Sequence, residues 1–274
     1  MHKSKKKKIG LALSSGSARG LAHIGVLEVL ENEGIPIDMI AGTSIGALIG
    51  ALYANSKNMS QIKHWAANLG STRFVFLAHL MPTRTGLIQG KKIENQLKSI
   101  IGDRKFRDLM IPFACVATDI NTGEEIVIKE GSVVEGIRAS FSLPGVFSAV
   151  KREGRYLVDG GLMNPVPVSV LKEMGADFII ASNVVPDMKD RVYQSSKSPK
   201  QELKAPNLFD VIMRTIHIAG YQAVRFSLSG ADIVIEPQVV HIGFGDFHRS
   251  SECISQGKLA AQNSILEIKK KIKV

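Results

Sequence analysis

Ile37-Asp38-Met39-Ile40-Ala41-Gly42-Thr43-Ser44-Ile45-Gly46-Ala47-Leu48-Ile49-Gly50-Ala51-Leu52 is the stretch that decides how this chain folds. Ile37–Ala41 is a short apolar run, and Ala47–Ala54 is a run of small apolar residues with no polar face. Between them lies only a glycine-flanked turn. The reading is a buried strand, a tight turn and a buried helix. Upstream, Ile9–Ser14 is a second apolar run closed by Ser-Ser-Gly. Leu21–Glu33 follows with apolar residues at Leu21, Ile24, Val26, Leu27, Val29 and Leu30 and ends at Gly34, the pattern of a helix with a C-terminal glycine. Strand, helix, strand and helix in this order predict a parallel βαβ unit in a sheet buried on both faces.

Beyond it, strands are predicted at Phe113–Thr118, Glu125–Lys129, Phe178–Ser182 and Ile233–Ile235. Val146–Val150 and Tyr156–Val158 form a pair of short apolar segments. Helical periodicity covers Met59–Leu69, Lys91–Ile101, Val133–Ser140, Val168–Met174, Leu208–Leu228 and Ser255–Ile272. Asp187–Pro206 is polar, lysine-rich and interrupted by prolines, which predicts a flexible surface loop. No internal repeat or composition break divides the chain. The expectation is one α/β domain over residues 9–274, preceded by a basic tail, residues 1–8.

At 274 residues, 45% hydrophobic and 22% charged, the chain can bury a sizeable core. No apolar run reaches the roughly 18–20 residues that span a bilayer, and the N-terminal lysines are not followed by the apolar stretch of a secretory signal. Cys115 and Cys253 make neither a disulfide framework nor a zinc-ligand spacing. These features read as a cytoplasmic protein without metal or cofactor. The net charge of +10 resides in the tails. Residues 1–8 hold five lysines, and residues 267–274 hold four lysines against Glu267, which leaves only +2 for the body between. That distribution argues against a nucleic-acid-binding face. It fits solvated tails, or weak attraction to an anionic phospholipid surface that would make the protein peripheral to the inner face of the membrane.

Gly42-Thr43-Ser44-Ile45-Gly46 matches G-x-S-x-G. Between a strand and a helix, such a turn holds a serine hydroxyl out while the glycines let the backbone bend without Cβ clashes. Ser15-Gly16-Ser17-Ala18-Arg19-Gly20 lies at the other strand-to-helix junction and exposes successive backbone N–H groups. It has neither the P-loop lysine nor the G-x-G-x-x-G order of a nucleotide site. Its economical use is an oxyanion hole facing Ser44. Asp159-Gly160-Gly161 is first a turn signal and read alone is structural in most instances; its interest lies in what a serine nucleophile requires, a base within hydrogen-bond reach. A histidine downstream, His217, His241 or His248, would instead complete a Ser-His-Asp triad. Of these, His217 reads as a residue at the edge of the core, and His23 as part of the first helix. A carboxylate base leaves activity flat near pH 6.5, where imidazole titrates.

Taken in order, Ser15–Gly20, Gly42–Gly46, Phe141-Ser142-Leu143-Pro144-Gly145-Val146-Phe147 and Asp159-Gly160-Gly161-Leu162-Met163-Asn164-Pro165-Val166-Pro167 resemble the four blocks of patatin-like phospholipases, above all the small bacterial members related to neuropathy target esterase. The resemblance runs from about Ile9 to Asn183. It implies a three-layer α/β/α fold with a mainly parallel central sheet, and a cofactor-free serine lipid acyl hydrolase acting on phospholipids or lysophospholipids through a Ser–Asp dyad. On that basis Ser44 matches the nucleophile and Asp159 the general base. Gly16 and Ser17 match the oxyanion loop, and Arg19 matches its basic residue. One departure stands out: the family loop is a run of three glycines, whereas this chain has Ser15-Gly16-Ser17, where a positive φ at a serine is strained. Two other classes compete: a carboxylesterase or thioesterase of Ser-His-Asp type, and a catalytically idle lipid-binding protein on the same scaffold. Phe74-Val75-Phe76-Leu77 and Leu80-Met81 read as core, or as a cap on an acyl pocket.

Overall fold

The computed structural model describes residues 7–69, 90–186 and 208–272. The Phe74–Met81 cluster, the Asp187–Pro206 loop and Lys3, Lys5 and Lys6 lie outside them. The strands are β1 (Ile9–Leu13), β2 (Met39–Thr43), β3 (Phe113–Asp119), β4 (Glu125–Ile128), β5 (Val150–Arg152), β6 (Arg155–Asp159), β7 (Phe178–Ser182) and β8 (Ile233–Ile235). The helices are α1 (Ala22–Asn32), α2 (Ile45–Ser56), α3 (Met59–Asn68), α4 (Gly90–Ile101), α5 (Val133–Ser140), α6 (Val168–Glu173), α7 (Leu208–Ser227) and α8 (Ser250–Ile272). A short 3₁₀ turn, Ser17–Leu21, joins β1 to α1.

The strands form one sheet in the order β5-β6-β3-β2-β1-β7-β8, with β4 also paired to β3. β3, β2, β1, β7 and β8 are mutually parallel, as the expected βαβ unit requires. β4 and β6 run antiparallel to β3, and β5 antiparallel to β6. Side chains alternate between two apolar layers. Leu11, Leu13, Ile40, Phe113 and Cys115 pack beneath α1, α2, α5 and α8, while Ala12, Ala41, Ala114 and Ala181 face α6 and Val224 of α7. This is a three-layer α/β/α architecture with a mixed, mainly parallel sheet.

Two features of the sheet position the site. Ala181, Ala12, Ala41 and Ala114 lie in register across β7, β1, β2 and β3. These small side chains let Val168, Val170 and Leu171 of α6 settle closely on the sheet, which draws the loop before α6 to the ends of β1 and β2. The second feature is a shared edge. β4 pairs with Cys115–Thr118 of β3. β2 pairs with Phe113–Val116 and β6 with Ala117–Asp119, so both must use the edge that β4 leaves. β2 ends there at Thr43, opposite Val116, and β6 enters from the other direction and ends at Asp159, opposite Ala117. Ser44 and Asp159 therefore meet head to head along one strand edge.

Of the apolar Val146–Val150 segment only Val150 belongs to a strand, and Val146 and Phe147 are buried loop residues. The hairpin turn instead falls at Glu153-Gly154, both at positive φ, the geometry that matches strand twist in a two-residue turn. Lys7 Nζ donates to the carbonyl of Lys271 at 2.9 Å. Lys7 and Lys271 thus adjoin near the start of β1, the end of the sheet opposite Ser44.

Candidate active site

Ser44 leaves β2 at φ 56°, ψ −121° and caps α2. A non-glycine residue there costs on the order of 1–3 kcal/mol, and the flanking glycines explain how the turn is tolerated. A Cβ on Gly46 would lie 2.3 Å from the carbonyl oxygen of Leu13, and a Cβ on Gly42 would lie 2.6 Å from the backbone of Ala47. The turn is pressed against backbone on both sides, so only glycine fits.

Ser44 Oγ donates to Asp159 Oδ2 at 2.6 Å, a length characteristic of a hydroxyl bound to a carboxylate. Asp159 Oδ1 accepts the Gly161 N–H at 2.8 Å. Main-chain bonds fix the carboxylate further: Asp159 N–H donates to Ser142 O, and its carbonyl accepts from Thr118 Oγ1. Asp159 is 5% exposed. Burial pushes its carboxyl up to about 6, against the hydrogen bonds from Ser44 and Gly161, which favour the ionised form. Burial thus brings this carboxyl toward the range where imidazole titrates, against the flat response expected of an ordinary carboxylate.

The loop after β1 faces the same site. Gly16 sits at φ 147° and Ser17 at φ 53°, so the strain anticipated at a serine is present at Ser17. The Gly16 and Ser17 N–H groups have no acceptor among the described residues. Ser17 Oγ donates to Phe244 O at 2.8 Å, and Ala18 N–H donates to the same oxygen. Arg19 is buried, and its Nε donates to Ile242 O at 2.8 Å, tying the loop to the segment before α8.

None of the described histidine side chains bonds Ser44 or Asp159. His23 is fully buried and held down to about 4 by desolvation, so it is neutral at pH 7. Its Nε2–H donates to Ser14 O at 3.0 Å, which leaves Nδ1 to accept from Ser182 Oγ at 2.8 Å. It locks the ends of β1 and β7. His241 pairs with Glu252, and His248 is exposed. The backbone of His217 lies on α7, but its side chain is outside the described residues.

A cavity of about 150 Å³ opens beside Ser44 and Asp159. Leu48, Trp65, Leu97 and Ile100 line one side, and Phe141, Leu143, Val146 and Phe147 another, with Tyr221, Phe244 and Phe247 completing it. Its polar side chains are those of Ser15, Ser17, Arg19, Ser44, Gln96, Asp159 and Tyr221. Such a shape suits an apolar chain ending in a polar, reactive group. Sequence reading missed Ser140, whose Oγ accepts the Ser44 N–H at 2.9 Å. Its position just before Phe141-Ser142-Leu143-Pro144-Gly145 is the one local signal.

The chain resembles known proteins at two levels. The patatin-like phospholipase family profile matches residues 11–172. An uncharacterized NTE family protein of Mycobacterium tuberculosis is 28% identical over 333 aligned residues, covering 96% of this chain and 92% of that protein. The human patatin-like phospholipase domain-containing protein 6 is 37% identical over 182 residues, which is 64% of this chain but 13% of the human protein. Among solved structures, VipD from Legionella pneumophila superposes with a TM-score of 0.53 at 11% identity, covering 96% of this chain and 67% of that one, a likeness of fold alone. Among the described residues, no helix is long and apolar enough to cross a membrane.

Proposed function

The chain belongs to the patatin-like phospholipase family, and from that premise we propose that it is a serine lipid acyl hydrolase whose dyad is Ser44 and Asp159. The observation that carries this reading is the direct 2.6 Å bond from Ser44 Oγ to Asp159 Oδ2, with no imidazole between them. Ser44 Oγ attacks the ester carbonyl as Asp159 takes its proton. The tetrahedral oxyanion is held by the Gly16 and Ser17 N–H groups. Collapse breaks the ester C–O bond, and Asp159 returns the proton to the departing alcohol, leaving an acyl group on Ser44. Water then attacks that acyl group, giving its proton to Asp159. The second collapse releases the fatty acid and restores the Ser44 hydroxyl.

Phospholipid or lysophospholipid is the substrate class, because the cavity beside Ser44 matches an acyl chain. Arg19 is assigned to holding the oxyanion loop, since its Nε is committed to Ile242 O. Lys7 and Lys271 lie at the end of the sheet remote from Ser44, so these two lysines are assigned no part in substrate capture.

The test is fluorophosphonate labelling together with hydrolysis of a lysophospholipid and a soluble p-nitrophenyl ester. Wild type should be labelled and active. Ser44→Ala should lose both, and Asp159→Asn should retain no more than about a thousandth of wild-type turnover. Substantial turnover in Asp159→Asn would sink the dyad.

A further inference from the structure

Residues 138–142 touch both halves of the dyad. Ser140, the last residue of α5, is fully buried, and its Oγ accepts the Ser44 N–H at 2.9 Å. Two residues on, the carbonyl of Ser142 accepts the Asp159 N–H at 3.0 Å. The sheet gives Ser44 no such support. The β2 ladder ends at Thr43 on the β3 side and at Gly42 on the β1 side. A residue at φ 56°, ψ −121° keeps that conformation only when its surroundings over-determine it.

The segment that supplies these acceptors is itself anchored. Arg138 is 2% exposed and has no carboxylate within ion-pair distance among the described residues. Its guanidinium donates to Ser142 Oγ, to Ser148 O at 3.0 Å and to Ser148 Oγ at 3.2 Å, and it lies 5.6 Å from the centre of the Phe147 ring. Ser142 Oγ in turn donates to Arg138 O at 2.6 Å. Burying a cation this deeply is costly; its Nε has no partner among the described residues, and the side-chain bonds its other nitrogens make all go to the segment that follows Ser140.

We propose that Ser140 is a positioning residue for hydrolysis: its hydroxyl oxygen grips the Ser44 main chain and so holds Ser44 Oγ against Asp159, on a segment stiffened by Arg138. The proposal rests on reading Ser44 and Asp159 as the dyad. Nothing in it requires Ser140 to touch substrate.

Ser140→Ala removes the acceptor. Ser140→Cys fills nearly the same space with a sulfur that accepts hydrogen bonds weakly. Both variants should label with a fluorophosphonate about tenfold to a hundredfold more slowly than wild type, the scale expected when a reacting group loses its alignment. Turnover of the soluble ester should fall by a similar factor with KM little changed. The acid limb of kcat/KM should move upward, because a weaker Ser44 hydroxyl bond withdraws support from the Asp159 carboxylate. A space-filling role predicts wild-type behaviour in Ser140→Cys, and wild-type labelling and pH profile in that variant would overturn the proposal. If Ser140→Ala does not fold, Ser140→Cys carries the same test. Failure of the dyad reading looks different: wild type would resist labelling, or Ser44→Ala would keep its activity.

Discussion

The turn after β2 and the turn after β1 leave neighbouring parallel strands, and each holds a serine at positive φ, 56° at Ser44 and 53° at Ser17. Their supports differ in kind. Around Ser44 the constraint includes glycines two positions away on either side, where any Cβ would meet backbone atoms of Ala47 or of the end of β1. Around Ser17 the support comes from a distant segment. Its hydroxyl and the following N–H both bond the carbonyl of Phe244, and Arg19 bonds Ile242. One turn is therefore bounded by close contacts with main chain, in addition to the Ser140 hydroxyl. The other is held by exchangeable hydrogen bonds, and this explains how serine can stand where the family has glycine.

The sharpest way to break this contrast is Gly46→Ala. Its Cβ would press on carbonyl oxygens at 2.3 and 2.5 Å, and both belong to main chain that cannot rotate away. Thermal unfolding should report a loss of about 3 kcal/mol or more. Ester turnover in whatever remains folded should fall at least about a hundredfold, as Ser44 is displaced. A Gly46→Ala protein with wild-type Tm would mean that the elbow is looser than these contacts imply.

Gly16→Ala probes the other turn. Its Cβ would meet Val184 Cγ2 at 2.6 Å, a side-chain contact, although φ 147° is strained for any L-residue. Tm should drop less than for Gly46→Ala, while kcat falls about a hundredfold through the displaced N–H donors. Adding Val184→Ala should recover part of the stability. An unchanged kcat in Gly16→Ala would remove this loop from oxyanion stabilisation.

Asp159 ties both turns to pH. As the proposed base it must be ionised, so kcat/KM should fall as pH drops through about 6. Stability runs the other way. Burial favours the neutral carboxyl, so its contribution is complete below the ordinary value of 3.8 and is lost as pH rises through about 6. Inactive Asp159→Asn should therefore melt above wild type at pH 8, with a stability gain of roughly 1–3 kcal/mol, since each tenfold change in proton affinity is worth about 1.4 kcal/mol. The gap should close below pH 4. A variant less stable than wild type at pH 8 would show that hydrogen bonding outweighs burial at this carboxylate.

The smallest effect is expected at Ser17. Ser17→Gly relieves the positive φ but loses the bond to Phe244 O, and each is worth about 1 kcal/mol. Its Tm and kcat should stay near wild type. Ser17→Ala loses the bond and keeps the strain, so denaturant melts should place it about 1–2 kcal/mol lower. A Ser17→Ala protein as stable as wild type would deny the Phe244 carbonyl its part in holding the loop.

Much of this architecture was legible in the residues. The runs Ile9–Ser14, Ile37–Ala41 and Phe178–Ser182 supplied most of the three strands at the centre of the parallel sheet, and Val133–Ser140 became a helix with those bounds. These features are local: strand burial follows from continuous apolar residues, and a turn tight enough to need Gly42 and Gly46 announces itself by them. Ser44 and Asp159 could be singled out for the same reason, as polar groups at junctions where small residues expose them.

The Ser44–Asp159 contact itself was decided by tertiary structure. It exists because β4 takes one edge of β3 and leaves β2 and β6 to share the other, so that two strand ends meet at Val116 and Ala117. No residue in β2 or β6 encodes that neighbour, which depends on which edge is still unpaired when the sheet assembles. The carbonyls of Phe244 and Ile242 and the hydroxyl of Ser140 are likewise partners of the site that composition and spacing cannot mark. A backbone carbonyl is the same group at every position, and only the fold decides which one arrives within hydrogen-bonding distance of a given donor.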